Sequence, residues 1–344
     1  MKMDLLSFSP EELKDEMKTM GWPAFRAGQI FQWLQKGVKN IDEMTNISKT
    51  ARWELSERYF ISKLNVVNKQ VSAQDGTIKY LFQLSDGEMI ESVLMKYHHG
   101  TSACISTQVG CAMGCAFCAS GQEGLVRNLS TGEMLDQVLA MTADQPSRIS
   151  HVVLMGSGEP LQNLEDVVKL IKIMNREEGL HISMRHVTIS TCGLIPQIHQ
   201  LANYGMPINL AVSLHASTDE IRRRLMPIAH NYSIGELVES CDEYSRKTKR
   251  RITYEYALIK GINDSETDMI ALAALLKNKL CHVNLIPVNP VEGSSYRSDK
   301  MENMTHLKEI LEKNGIPVTV RRELGSDIDA ACGQLKRRTK QIAE

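Results

Sequence analysis

The chain has 344 residues, 42% of them hydrophobic, with 40 basic against 41 acidic side chains and a net charge of −1. The composition supports a sizeable core and excludes a chain coated in positive charge, so any nucleic-acid site must be a local patch. No run approaches the roughly 18 apolar residues that a membrane helix needs. The opening MKMDLLSFSPEELKDEM lacks the apolar centre and small-residue cleavage site of a signal peptide, so the reading is a cytoplasmic protein with no membrane partner.

Residues 1–60 read as a small helical domain. Pro10 follows the possible cap Ser9 and opens one helix; Phe25, Ile30, Phe31 and Leu34 space a second; Thr50 to Tyr59 makes a third. Lys36, Lys39, Lys49, Arg52 and Arg58 form either a solvated face or an RNA-docking surface. Residues 61–100 read as a β-hairpin connection, with strands over 78–84 and 89–97 around the turn signal Asp86-Gly87.

From residue 101 the pattern becomes strand, loop, helix, repeated. Strands are predicted over 102–108, 151–155, 186–191, 209–214, 252–259, 282–288 and 318–321. Helices are predicted between nearly all of them, over 131–143, 164–177, 195–204, 234–247, 266–277 and 305–313. Such alternation implies an α/β fold with a parallel sheet and helical crossovers. Six or so units predict a partial (β/α)6 barrel over 101–335, followed by a basic tail over 336–344. In such folds functional groups sit at the C-terminal ends of strands. Polar residues do fall there: Gly158-Glu159, Ser190, Ser213 with His215, and Asn289.

Three of the eight cysteines stand close together in Cys111-Ala-Met-Gly-Cys115-Ala-Phe-Cys118. Soft thiolates at this density suit zinc or an iron–sulfur cluster. A structural zinc needs four ligands, and Cys104, His98 or His99 is available to complete one. Three cysteines on a [4Fe–4S] cluster instead leave one iron open, where the amino and carboxylate groups of S-adenosylmethionine (SAM) can bind. The residues alone leave both readings open.

The triplet, placed after the first barrel strand, closely resembles the radical SAM superfamily. Further segments narrow the resemblance: Gln108-Val-Gly-Cys111, Met155-Gly-Ser-Gly-Glu-Pro160, Arg185 to Thr191, Leu210 to His215, Arg224 to Ile228, His282 to Asn289 and Asp327 to Leu335. Together they resemble the dual-specificity RNA adenine-C2 methyltransferases (RlmN type), with the adenine-C8 (Cfr-type) enzymes as a sister group. The resemblance spans about residue 10 to about residue 340. It departs at Ser157, where the family often has an apolar residue, and at Cys192, where Ser is frequent.

The resemblance implies a radical SAM barrel and a [4Fe–4S] cluster on Cys111, Cys115 and Cys118. It implies SAM contacts from Gly158, Glu159, Ser190, Ser213, Leu214, His215 and Asn289, with Glu159 holding the SAM ammonium. Two SAM molecules would serve each turnover. One would methylate Cys332, for which a thiolate is the right nucleophile. The other would yield a 5′-deoxyadenosyl radical that takes hydrogen from the methylated Cys332, whose methylene radical adds to adenine C2. Adenine C2 is electron-poor and cannot attack a methyl cation donor itself, which is why a radical is needed. Glu91 would accept a proton. Cys104 would release the product, by accepting a proton or by pairing with Cys332. The implied partners are 23S rRNA, tRNA and an electron donor such as flavodoxin, with the chain a monomer. The basic runs at Arg222–Arg224, Arg246–Arg251, Arg321–Arg322 and Lys336–Arg338 are candidates for RNA phosphates. A zinc-stabilised RNA-binding module and a radical SAM enzyme with a small-molecule substrate are the rival readings.

Overall fold

The structure, a computed structural model, describes residues 2–122, 124–288, 296–298, 301–328 and 335–336. Three helices lead: α1 (Pro10–Thr19), α2 (Phe25–Gln35) and α3 (Lys49–Arg58). The central sheet has ten strands: β1 (Asn65–Val71), β2 (Ile78–Gln83), β3 (Met89–Tyr97), β4 (Gly100–Cys104), β5 (Ile149–Leu154), β6 (Val187–Thr191), β7 (Asn209–Ser213), β8 (Ile252–Leu258), β9 (Cys281–Pro287) and β10 (Val318–Val320). Their spatial order is their chain order. Strands β4 to β10 are all parallel, whereas β1 to β4 are joined antiparallel.

Each parallel step is bridged by helix: α4 (Thr131–Ala143), α5 (Leu164–Met174), α6 (Ile195–Asn203), α7 (Asp219–Leu225) with α8 (Ile234–Thr248), α9 (Glu266–Leu276) and α10 (Met301–Lys313). Six crossovers between seven parallel strands give the predicted partial barrel, finished by β10. Four helices start at a reciprocal cap that the sequence encodes as Ser-x-x-Glu or Ser-x-x-Asp. Ser9, Ser130, Ser233 and Ser265 each accept from the third residue of α1, α4, α8 and α9, whose carboxylate reaches back.

Side chains alternate across the parallel strands, so each strand has a helix face and an interior face. Val152, Leu154, Val187, Ile189, Leu210, Val212, Tyr254, Val283 and Leu285 lie in register on the helix face and are all but fully buried. The interior face carries smaller and more polar groups. Near 25 cal/mol per Å² of apolar surface, the helix face supplies the stability and leaves the interior available for chemistry.

Two boundaries differ from the sequence reading. Residues 61–100 contain a third strand, β1, and all three antiparallel strands extend the barrel sheet. β1 is mostly exposed and its polar Asn65, Asn68, Lys69 and Gln70 give no apolar stripe to read. The strand predicted over 102–108 ends at Cys104. Thr107 and Gln108 donate to the Ser157 carbonyl at 2.9 and 3.1 Å, and Gln108–Gly110 then pairs with Leu125–Asn128 in a separate ribbon.

The N-terminal segment docks on the barrel at the start of α4. Asp4 accepts from Ser62 N at 2.9 Å and Leu6 N at 3.1 Å, and a β-carbon on Gly132 would stand 1.9 Å from its Oδ2. Gly132→Ala is therefore expected to destabilise the chain by about 1–3 kcal/mol through overpacking, read as a lowered midpoint of thermal unfolding.

Candidate active site at the C-terminal rim

Following the register inward, Cys104 faces with Val153, Ser190 with Ala211, Ser213 with Glu255, and Glu255 with Asn284 and then Thr319. On the antiparallel side Val93 pairs Cys104 and Glu91 pairs Leu81, so Glu91, two residues from Val93, shares that interior face. The sheet thus brings Glu91, Cys104, Ser190 and Ser213 to one interior. Gly158-Glu159 and Leu214-His215 follow the C-terminal ends of β5 and β7.

The cysteine loop leaves the short ribbon after Gly110. It is held at both ends: Cys111 N donates to the Gly124 carbonyl at 2.9 Å, and Ala116 N donates to the Leu225 carbonyl of α7 at 2.9 Å. Burial pushes the Cys111 thiol up to about 11 and Cys115 up to about 12, with the neighbouring Cys118 adding to each. The three sulfurs are thus electrostatic neighbours. Among the described residues no three His, Cys, Asp or Glu converge on one metal-ion position. By the chemistry of the donor set, three soft thiolates on one loop suit an iron–sulfur centre, and metal loading would displace their protons. His98 and His99 do not complete a zinc site. They occupy the turn between β3 and β4, at the far end of β4 from Cys104 and from the loop.

Gly158 has φ +109°, and a β-carbon there would meet Gln108 Cβ at 2.6 Å. Only glycine lets this loop pass so close to the cysteine-bearing segment. Glu159 N donates to Gln108 Oε1 at 2.8 Å. Its carboxylate, fully enclosed, accepts from Leu161 N at 3.0 Å and Cys192 N at 2.7 Å. Burial raises its pKa against those two donors. The sequence reading gave this carboxylate to a ligand ammonium. In the structure Oε1 caps the short turn that follows it through Leu161 N, and Oε2 ties the β5 loop to the end of β6 through Cys192 N.

His215 is buried in a left-handed backbone conformation, φ +56°. Its Nδ1 accepts from Ala257 N at 2.9 Å, so the neutral ring carries its proton on Nε2. Its carbonyl accepts from Asn263 Nδ2 at 2.8 Å. The Phe117 ring, between Cys115 and Cys118, packs edge-on against it at 4.8 Å. The histidine therefore links the cysteine loop to the end of β7. Leu214 beside it is fully buried.

Glu91 lies in a buried ion pair with Lys79 Nζ at 2.8 Å, and its other oxygen accepts from Lys336 N at 2.7 Å. The chain end is thereby held on β3. Upstream, Asp327 accepts from Ser72 Oγ at 2.6 Å and Ala73 N at 2.8 Å, while Asp75 accepts from Gly325 N at 2.9 Å. Leu324 packs with Met155 on the cluster formed by Val93, Met95 and Cys104. The C-terminal segment is thus anchored on the β1–β3 strands on either side of residues 329–334. Cys332 and Asn289 lie outside the described residues.

Three functional candidates escaped the sequence reading. Lys79 is fully buried although lysine is ordinarily a surface residue. Glu255 is a buried carboxylate bonded to Asn284 Nδ2 at 3.0 Å; its place between Tyr254 and Tyr256 on an otherwise apolar strand was the available signal. Arg222 was grouped with the RNA-binding arginines, yet it is 0% exposed, while Arg223 and Arg224 are exposed. The Arg246–Arg251 run also fails as a rim patch. It lies between α8 and the start of β8, and Arg250 bonds Asn209 at the start of β7, at the opposite end of the barrel.

Burial, with Arg222 second, lowers the His215 pKa from 6.5 to about 3. The unfolded chain then binds the extra proton, so this contribution to stability is present above pH 6.5 and is lost as pH falls toward 3. His215→Gln is expected to flatten the decline of unfolding free energy between about pH 6.5 and pH 4, measured by denaturant titration.

Comparison with known proteins agrees with this geometry. Residues 105–273 match the Radical SAM superfamily, and residues 3–61 match the ribosomal RNA large subunit methyltransferase N-terminal domain. The chain is 56% identical over 340 residues, 99% of both chains, to a probable dual-specificity RNA methyltransferase RlmN of Alkaliphilus oremlandii. It is 50% identical over 339 residues, 98% of this chain and 99% of the relative, to the protein of that name from Clostridioides difficile. The crystal structure of a radical SAM methyltransferase from Sphaerobacter thermophilus superposes with a TM-score of 0.91 at 44% identity, covering 96% of this chain and 98% of that one. The chain therefore belongs to the RlmN family of dual-specificity RNA methyltransferases within the radical SAM superfamily.

Proposed function

We propose that this enzyme methylates carbon 2 of adenine in 23S rRNA, near the peptidyl-transferase centre, and in tRNA, beside the anticodon. Membership of the radical SAM superfamily implies a [4Fe–4S] cluster and SAM. Cys111, Cys115 and Cys118 would hold the cluster. The backbone at Gly158-Glu159, with Ser190, Ser213, Leu214, His215 and Asn289, would line the SAM site. When bound, these groups supply two things: a methyl group, and, through one-electron cleavage of the sulfonium, a hydrogen-abstracting agent.

The protein's own residues do the rest. Cys332 takes the methyl group as a thioether. After loss of one hydrogen, its methylene carbon bonds to adenine C2, so the protein holds the base covalently. Glu91 accepts the proton from C2. Cys104, as a thiolate, attacks the Cys332 sulfur: a disulfide forms, the sulfur–carbon bond breaks, and its electron pair goes to the carbon on the base. That carbon takes up a proton to become the methyl group, and an external thiol would reduce the disulfide before the next turnover. One observation carries this reading: the Glu91–Lys336 hydrogen bond at 2.7 Å ties the chain four residues beyond Cys332 to the face that also carries Cys104. The printed names of the full-length relatives support RNA as substrate.

The domain division proposed is 1–60 for RNA docking, 61–100 as connection, 101–335 as catalytic core and 336–344 as a basic tail. Support for docking comes from the exposed rings of Phe25 and Trp53 and from Arg26 over Phe25 at 5.2 Å. Aromatic faces beside cations suit unpaired bases. The exposed Arg223, Arg224, Arg321 and Arg322 would meet phosphates at the rim. We place the enzyme in the cytoplasm as a monomer reduced by a donor such as flavodoxin, since its thiols need a reducing compartment. No helix among the described residues is long and apolar enough to cross a membrane.

The test is anaerobic loading with iron and sulfide, then incubation with SAM, reductant and unmodified 23S rRNA fragment, read by nucleoside mass spectrometry. 2-Methyladenosine should appear with the wild type and vanish with Cys118→Ala and Cys332→Ala. 8-Methyladenosine would assign the enzyme to C8 chemistry instead, and unmodified RNA with bound zinc would reduce it to a binding module. Glu91→Gln should lower turnover by about 100-fold or more, the usual scale for losing a general base, while leaving Cys332 methylation measurable by peptide mass spectrometry.

A further inference from the structure

Among the described residues Arg222 is a buried cation that forms no salt bridge. Its side chain on α7 is 0% exposed. Nη2 donates to the carbonyls of Cys192 at 2.6 Å and Ser213 at 3.3 Å. Nε and Nη1 are buried without an acceptor among the described residues. No carboxylate among those residues lies within ion-pair distance, and Asp219, one turn earlier, spends Oδ1 on Ile234 N at 2.7 Å. A buried charge left this way is strongly unfavourable unless something else compensates it.

Its charge is felt by the sulfurs of Cys192, Cys115 and Cys241 and, after them, by the Asp219 carboxylate. The cysteine loop is bonded to α7 itself through Ala116 N and the Leu225 carbonyl at 2.9 Å, one turn beyond Arg222. While those thiols carry protons they offer no negative charge. Cys192 is not among the proposed ligands and burial keeps its thiol protonated, but Cys115 ligated as a thiolate is negative, and a three-cysteine cluster is anionic overall. Holding two carbonyls would need only a neutral donor, so that role leaves the charge and the two idle nitrogens unexplained.

We propose that Arg222 is the built-in counter-charge of the cluster site: it offsets the thiolate-ligated cluster and raises its reduction potential. This rests on the assignment of Cys111, Cys115 and Cys118 as ligands. Reduction adds one electron to the cluster from an external one-electron donor, and Arg222 keeps its proton throughout. A fixed positive charge favours the more negative, reduced state. Arg222 is a positioning and tuning residue and takes no part in bond making.

The test uses the full chain, loaded anaerobically, with Arg222→Gln, Arg222→Met and Arg222→Lys. A redox titration without SAM is followed by electron paramagnetic resonance of the reduced cluster. At the wild-type midpoint the ratio of reduced to oxidised cluster should be about tenfold lower in the Gln and Met variants, a shift of about 59 mV for a one-electron couple, and Lys should restore most of it. Thermal unfolding gives the second readout. Cluster loading should raise the melting temperature of wild type and Lys more than that of Gln and Met. Unchanged potentials in Gln and Met, or equal melting losses with and without cluster, would overturn the proposal and leave a structural arginine. A wild-type chain that takes up no iron, or takes it up equally after Cys115→Ala, would overturn the ligand assignment itself, and this inference with it.

Discussion

Parallel strands cannot be joined by a tight turn. Each must send the chain over its own C-terminal end and back along a helix before the next strand begins. In this protein that constraint operates six times in succession, because β4 to β10 are hydrogen-bonded in chain order. Every strand-to-helix connection therefore emerges on one rim. The cysteine loop, the Gly158-Glu159 loop, His215, Val288 after β9 and Arg321 after β10 lie there by topological necessity, although they are up to some 200 residues apart in sequence.

The rim is rigid because its loops bond to one another rather than to solvent. Glu159 joins the β5 loop to the β6 end through Cys192 N. His215 joins β7 to β8 through Ala257 N and meets the cysteine loop through Phe117. Arg222 gathers the carbonyls of Cys192 and Ser213. Two consequences follow for chemistry. The side chains around the cysteine loop are locked by packing, which keeps bound groups in one geometry. The same dense, low-dielectric packing leaves any unpaired charge costly, which is why Arg222 stands out.

The antiparallel strands β1 to β3 add something a plain barrel does not have. They give the C-terminal segment a platform, through Ser72, Ala73 and Asp75 at the β1–β2 turn and through Glu91 on β3. Lys79 pairs with Glu91 from the neighbouring strand, so the anchor for the chain end and the acid–base candidate are the same carboxylate. One buried ion pair thus underlies the anchoring of the chain end.

Much of this was legible in the sequence. Periodicity predicted seven barrel strands and their helices, because strands buried on one side against helices need apolar residues at a regular spacing. The Ser-x-x-Glu starts of α1, α4 and α8 were readable for the same local reason. The clustered cysteines Cys111, Cys115 and Cys118, the proposed ligands, were visible because they are neighbours along the chain. What the sequence left undecided were properties that depend on partners far away. Whether an arginine in a run of three faces RNA or the core depends on how α7 docks, and Arg222 went inward. How the Glu159 carboxylate is held depends on which amides reach it, and Leu161 and Cys192 do. The Lys79–Glu91 pair, the strand β1 and the displaced Arg246–Arg251 run were likewise decided by tertiary structure. Burial and charge pairing are set by distance in space, and sequence spacing fixes that distance only within a single helix, strand or turn.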